Sequence, residues 1–156
     1  MADAVVTIQD DELKALCSRL NKGALRPSDR KQLLSDIGVE METQTQERFA
    51  TKESPDGDSW ADIAESTRRY YEKYARKVHY PGNGLLWREG ALKDSITSEA
   101  HSWDVVVGAT KIYAAVHQYG YKKIPARQYL GLNNEDEHEI IALIHKFLAN
   151  HVEATI

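Results

Sequence analysis

The stretch from Trp103 to Leu132 constrains the fold most, because a strand, a short helix and a stiff loop follow one another in it without spacer residues. Val105 to Val107 are β-branched and predict a strand. The segment before it, from Ile96 to Ala100, predicts the partner strand, because pairing the two would give a hairpin with one apolar face. A two-residue turn at His101-Ser102 would pair Ile96 with Val107, although the register stays open by one or two positions because His-Ser suits such a turn poorly.

The second half of this stretch predicts a short helix followed by a rigid loop. Residues 112–119 carry apolar side chains at spacings of three and four, and Gly120 is suited to end the helix. Pro125 fixes its own φ and favours an extended residue before it. The loop is therefore expected to hold Arg127 and Tyr129 in defined positions.

A long helix dominates the rest of the chain. Pro27 is a favourable first residue for it, and helical spacing of apolar residues continues to Phe49. Gly38 inside this helix costs about 1 kcal/mol against alanine, which is tolerable if another backbone packs closely there. Shorter helices are predicted near Trp60 and from Asn133 or Asn134 to the end of the chain.

These elements predict an α+β fold in one domain over residues 1–156. A small antiparallel sheet, made of an N-terminal strand at Val5 to Ile8 and a 95–108 hairpin, is packed by one long and several shorter helices. A mobile loop is expected near 78–85 and fraying beyond residue 152. A first helix is predicted from a cap at Asp10 or Asp11 to Lys22-Gly23, and Leu16 and Cys17 lie on its buried stripe.

The charge distribution leaves two interpretations open. The net charge of -4 argues against a dedicated nucleic-acid binder. The segment from 66 to 80 nevertheless interleaves tyrosines with basic residues, either as cationic stems over aromatic rings or as a DNA contact. Its basic residues are Arg68, Arg69, Lys73, Arg76 and Lys77. Acidic residues cluster over 134–139, so separate basic and acidic faces could bring copies of the chain together.

No residue pattern points to catalysis, a cofactor or a metal. Cys17 lies on a predicted apolar stripe without a basic neighbourhood, which favours a core residue over a reactive thiolate. His117 is interpreted as a hydrogen-bonded structural histidine in preference to an acid or base. The six histidines form no metal-binding pair. With no apolar run long enough for a membrane and no secretory signal, we expect a protein of a reducing cytoplasm.

The ordered set of motifs resembles the phage virion morphogenesis family, and within it the Mu-like branch. The residues that carry the resemblance are Pro55-Asp56-Gly57 with Trp60, Thr67, Leu85-Leu86, Gly90-Ala91-Leu92, Ser95-Ile96, Val107-Gly108, Tyr113-Ala114, His117-Gln118-Tyr119-Gly120, Ile124-Pro125-Ala126-Arg127 and Leu130-Gly131-Leu132. The family includes tail-completion proteins of contractile-tailed phages. The resemblance implies a late, non-enzymatic virion protein, assembled in the host cytoplasm, that acts at the head-tail junction. It also implies that copies of the chain form rings, often hexamers, and that these contact other head, neck or tail proteins.

The aromatic composition of the stiff loop suggests where copies would meet. Tyr119, Tyr121, Arg127 and Tyr129 have the residue types of buried interface contacts, so we expect them in a subunit interface. Two alternatives remain: a transient capsid-assembly factor that is absent from the finished particle, and a module that contacts packaged DNA through the segment from Arg68 to Tyr80.

Overall fold

The computed structural model describes residues 15, 16, 18, 25–74, 85, 86 and 90–152. The helices are α1 (Pro27–Thr51), α2 (Glu65–Tyr74), α3 (Ala114–Tyr119) and α4 (Asn134–Val152), and the strands are β1 (Ile96–Ala100) and β2 (Val105–Ala109), with a 3-10 turn at Lys93–Ser95. This arrangement confirms the predicted α+β class. The strand predicted at Val5 to Ile8, Cys17, residues 78–84 of the predicted loop and the residues beyond 152 lie outside the described residues.

Helix α1 is the element around which the core is built. It begins at Pro27, as predicted, and the backbone N–H of Lys52 closes it on the Arg48 carbonyl at 2.7 Å. One apolar cluster packs along its first half and α4; it contains Leu16, Leu33, Ile37, Ile140, Ile141, Ile144 and Phe147. A second cluster gathers at its end; it contains Phe49, Trp60, Leu85, Leu92, Ile96, Ala109, Ala114, Tyr129 and Leu130.

The β-hairpin forms with a different register from the one predicted. Ile96 lies opposite Ala109 and Ala100 lies opposite Val105, so the predicted pairing of Ile96 with Val107 is wrong by two residues. Four residues rather than two make the turn, since the His101 N–H donates to the Asp104 carbonyl at 2.8 Å. A shift of two residues keeps the same side chains on the same face, so the buried face is unchanged.

The hairpin packs against α1 at Gly38. A Cβ at this position would lie 2.6 Å from Ser98 Oγ and 2.9 Å from Val105 Cγ2. This close approach explains a glycine in the middle of a long helix, although side chains of the hairpin fill the space rather than the backbone that the sequence led us to expect. One turn further on, the Glu42 carboxylate accepts a hydrogen bond from the Ser98 N–H, which occupies a backbone donor of β1.

The helix predicted near Trp60 begins later than the sequence indicated. α2 starts at Glu65, and the prediction of a helix from Trp60 is wrong. Glu53 and Ser59 form an antiparallel bridge, and the Trp60 N–H donates to the Lys52 carbonyl at 2.8 Å, which holds the chain extended there. The Trp60 ring is buried and its Nε1 donates to the Gln128 carbonyl at 2.9 Å. Tertiary packing of this ring thus outweighs the local helix signal.

A buried ion pair joins α1 to α4 and to the loop before α4. Arg48 pairs with Asp136, and its Nη1 donates to the carbonyls of Tyr129 at 3.0 Å and Gly131 at 2.9 Å. Asp136 Oδ2 also accepts from the Asn133 N–H at 2.8 Å, while Asn133 Oδ1 accepts from the Asp136 N–H at 2.8 Å. This reciprocal cap starts α4 at the predicted place. Burial lowers the pKa of Arg48, and the Asp136 carboxylate opposes that shift.

Replacing Gly38 by alanine should destabilise the protein, although alanine is the better helix former. The new Cβ would press on Ser98 and Val105, and overpacking of this kind costs about 1–3 kcal/mol against a propensity gain of about 1 kcal/mol. Urea unfolding of Gly38→Ala should therefore give a lower free energy of unfolding than wild type. The control, Val39→Ala at the neighbouring exposed position, should stay close to wild type. A stabilised Gly38→Ala protein would contradict this packing.

Replacing Asp136 by alanine should cost about 3–5 kcal/mol of unfolding free energy, because it leaves the buried Arg48 guanidinium without its counter-ion. Glu135→Ala removes an exposed carboxylate from the same first turn and should change the unfolding free energy by no more than about 1 kcal/mol. Equal losses in the two variants would show that the helix dipole, rather than the buried pair, carries the effect.

Candidate functional site

A tight turn projects from the end of α3. Tyr121 and Ile124 form an antiparallel bridge, with N–H to carbonyl distances of 3.0 and 2.9 Å in the two directions. Lys122 has a φ of 52 degrees, and this left-handed backbone lets the chain reverse direction within the turn. All four residues of the turn are exposed.

The turn is flanked by exposed aromatic and apolar side chains. Tyr119 and Tyr121 are 56% and 57% exposed, and Tyr113 and Ile124 are also exposed. We call this the turn surface; it consists of Tyr113, Tyr119, Tyr121, Lys122, Lys123 and Ile124. Its aromatic rings are a residue type enriched at protein interfaces, and its two lysines give it a positive charge.

Beneath the turn surface, Gln118 clamps α3 to the loop before α4. Its Oε1 accepts from the backbone N–H groups of Tyr129 and Leu130, both at 3.0 Å, and its Nε2 donates to the Leu130 carbonyl at 3.0 Å. Tyr129 is fully buried, and its hydroxyl donates to the Ala114 carbonyl at 3.1 Å. Burial raises the pKa of Tyr129 to about 12, so the phenol keeps its proton at neutral pH.

Arg127 ties the other end of the loop to the segment before α2. Its backbone N–H donates to the His117 carbonyl at 2.7 Å. Its Nε donates to the Ala61 carbonyl at 2.7 Å and its Nη2 to the Asp62 carbonyl at 2.9 Å. Burial lowers the pKa of Arg127, with Asp62 opposing the shift. The guanidinium therefore links the loop that contains Arg127 to the segment of Ala61 and Asp62 before α2.

The four residues predicted for a subunit interface occupy two different environments. Tyr119 and Tyr121 are on the surface, whereas Arg127 is only 6% exposed and Tyr129 is fully buried. Arg127 and Tyr129 thus use their polar groups within the subunit and hold the loop in place. The interface itself stays a prediction. Sequence reasoning grouped the four because they share residue types typical of interfaces, and those types are equally common in a hydrogen-bonded interior.

The predicted nucleic-acid residues are only partly free of acidic partners. Arg68, Arg69 and Lys73 are exposed on α2, while Arg76 and Lys77 lie outside the described residues. Arg68 pairs with Asp62, and Arg69 Nε lies 3.2 Å from Glu65 Oε1. Two of the three described cations are therefore offset by nearby carboxylates.

A cavity of about 560 Å³ lies between α2, Leu85 and Leu92, α3 and the 121–124 turn. His117 lines it and stands edge-on to Tyr113, but its Nδ1 is buried with no hydrogen-bond partner in the described part of the chain. The prediction of a hydrogen-bonded histidine is therefore wrong for this nitrogen. Burial, and secondarily Arg127, lowers the pKa of His117, which favours a neutral ring.

In the described part of the chain, neither a group of metal ligands nor a helix that could span a membrane is present. No group of three or more histidine, cysteine, aspartate or glutamate side chains is placed to hold a metal ion there. None of the described helices is long and apolar enough to cross a membrane.

The motif residues that are far apart in sequence converge behind the turn surface. A Cβ at Gly131 would lie 2.6 Å from Pro55 Cγ, so these two positions are in close contact. The Phe49 ring lies 5.4 Å from the rings of both Trp60 and Tyr129, measured between centroids. These motif residues therefore form the packed interior beneath the turn surface.

Comparison with known proteins agrees with this set of motifs. The model of the phage virion morphogenesis family matches residues 10–149. Mu-like prophage FluMu G protein 1 of Haemophilus influenzae is 26% identical over 122 residues, which cover 78% of this chain and 81% of that protein. FluMu G protein 2 of the same organism is 28% identical over 144 residues, covering 88% and 91%.

A third relative comes from a phage rather than a prophage. Protein G of Escherichia phage Mu, whose name assigns it provisionally to capsid assembly, is 32% identical over 111 residues, covering 65% of this chain and 69% of that protein. No solved structure matches the chain. Because the family model covers most of its length, the chain belongs to the phage virion morphogenesis family.

Proposed function

We propose that this chain is a non-enzymatic assembly protein that forms a ring of identical subunits, of hexamer type, at the junction of phage head and tail. The observation that carries the proposal is the turn surface, which is aromatic and exposed yet held rigidly from beneath. Membership of the virion morphogenesis family and the name of the phage Mu relative support an assembly role.

Hydrogen bonds beneath the turn surface hold it in one conformation, which favours the binding of a partner protein. Gln118, Arg127 and Tyr129 all bond to backbone groups of the loop or its neighbours, so the loop is ordered before any partner arrives. A preordered loop loses less conformational entropy on association than a flexible one. Exposed tyrosines then contribute large contact areas with few rotatable bonds. These properties favour a stable protein contact over a solvated loop.

Replacing Tyr121 by alanine should weaken self-association about 30-fold, the effect of losing an interface side chain worth about 2 kcal/mol. Sedimentation velocity over a range of concentrations would measure the shift from oligomer to monomer. Tyr70→Ala is the matched control, because Tyr70 is 54% exposed against 57% for Tyr121 but lies on α2. Equal association of both variants, or a wild-type chain that stays monomeric at every concentration, would refute the proposal.

A transient capsid-assembly factor is the second candidate, and the name of the phage Mu relative favours it. The two functions differ in what remains in the finished particle. Quantitative mass spectrometry of purified virions should find this chain at a fixed, ring-like copy number if it is a junction component. Its absence from infectious particles would favour the transient factor and reject the junction.

A DNA contact through Arg68, Arg69 and Lys73 is the weaker candidate. In its favour, α2 buries none of its residues and exposes Tyr70 and Tyr74 beside these cations. Against it, Asp62 and Glu65 already pair with the two arginines, which reduces the positive field available to phosphates.

A further inference from the structure

The β-hairpin tip and the turn surface lie at opposite ends of α1. The tip packs on the first turns of the helix, where Arg30 Nε donates to the Ser102 carbonyl at 2.7 Å. The turn is supported by Tyr129, whose ring packs on Phe49 near the end of the same helix. At 1.5 Å per residue, Arg30 and Phe49 are separated by about 28 Å along the helix axis. One subunit thus carries the two surfaces far apart.

The tip is a second exposed aromatic surface. Trp103 is 57% exposed and is fixed by the Arg30 guanidinium, which lies 3.5 Å from the centre of its ring. Val106 is exposed as well, directly opposite Glu99 in the hairpin. We call this the tip surface; it consists of Glu99, Trp103, Asp104 and Val106.

The tip surface carries the opposite charge to the turn surface. The carboxylates of Glu99 and Asp104 are exposed on either side of His101, whose ring nitrogens lie 3.5 and 3.0 Å from them. Arg30, beneath Trp103, is itself buried, so the carboxylates are the charges that face outwards. On the turn surface the corresponding groups are the ammonium groups of Lys122 and Lys123.

We propose that the tip surface of one copy receives the turn surface of the next copy, head to tail. Each surface pairs exposed aromatic or aliphatic groups with charges, and the charges are complementary. Two different surfaces at opposite ends give a heterologous contact, which closes into a ring when the rotation between copies allows it. This inference rests on the proposed self-association and names the surface that completes it.

The acidic segment at the start of α4 is less suited than the tip surface to bind the turn surface of another copy. Two of its four carboxylates, Asp136 and Glu137, are buried within the subunit. Glu135 and Glu139 remain exposed, but no exposed large apolar side chain accompanies them among the described residues of α4. The tip surface offers both the charge and the apolar area.

Reversing the charges on one surface at a time tests the contact. The turn variant, Lys122→Glu with Lys123→Glu, and the tip variant, Glu99→Lys with Asp104→Lys, should each associate at least 10-fold more weakly than wild type. In each variant every contact would place like charges together. When the two variants are mixed, every contact between unlike subunits again joins opposite charges. We therefore expect the mixture, and neither variant alone, to sediment as an oligomer.

The matched control reverses charges on α4 with Glu139→Lys and Lys146→Glu, both exposed, and should leave association unchanged. Circular dichroism of each variant checks that the fold is retained, and Asp104→Lys alone provides a milder tip variant. A tip variant that associates like wild type would place the receiving surface elsewhere and leave the Tyr121 result standing. Two monomeric variants that fail to co-assemble would also overturn the head-to-tail pairing.

Discussion

The buried contact between Arg48 and Asp136 is the interaction on which the rest of this structure depends. A guanidinium removed from water is costly unless its donors are used, and here they bind a carboxylate and two backbone carbonyls. The same carboxylate caps α4 through Asn133. One residue of the long helix therefore sets the position of the last helix and of the loop between them.

The loop before α4 in turn fixes the position of α3 and of the exposed turn that follows it. Its residues Tyr129 and Leu130 bond to Gln118 of α3, and Arg127 bonds to the segment before α2. Each of these bonds uses a buried polar group, so an alternative loop conformation would leave donors or acceptors without partners. These bonds hold the exposed turn in place from beneath, which is why we propose it as a contact for a neighbouring subunit.

The family motifs acquire a physical meaning from this arrangement. Trp60, Gln118, Arg127 and Gly131 are separated along the chain, but each contacts the loop or belongs to it. All four pack or bond inside the subunit: the Trp60 ring lies in a packed cluster, the Gln118 amide bonds to Tyr129 and Leu130, and Gly131 lies against Pro55. The surface groups proposed to bind, such as Lys122 and Trp103, lie outside this framework and can differ without disturbing it.

The sequence by itself determined the start of α1 at Pro27 and a cap for α4 at Asn133 or Asn134, because these follow from local dihedral and hydrogen-bonding preferences. It also determined the α+β class, because the spacing of apolar residues distinguishes helices from strands. The tertiary structure alone decided the hairpin register, the extended path through Trp60 and the burial of Arg127 and Tyr129. Each of these depends on which residues meet after folding, such as Gln128 for Trp60 and Ala61 for Arg127, and residue types do not state which partner a side chain will meet. The pairing of exposed tyrosines with buried supports is therefore a property of the folded chain.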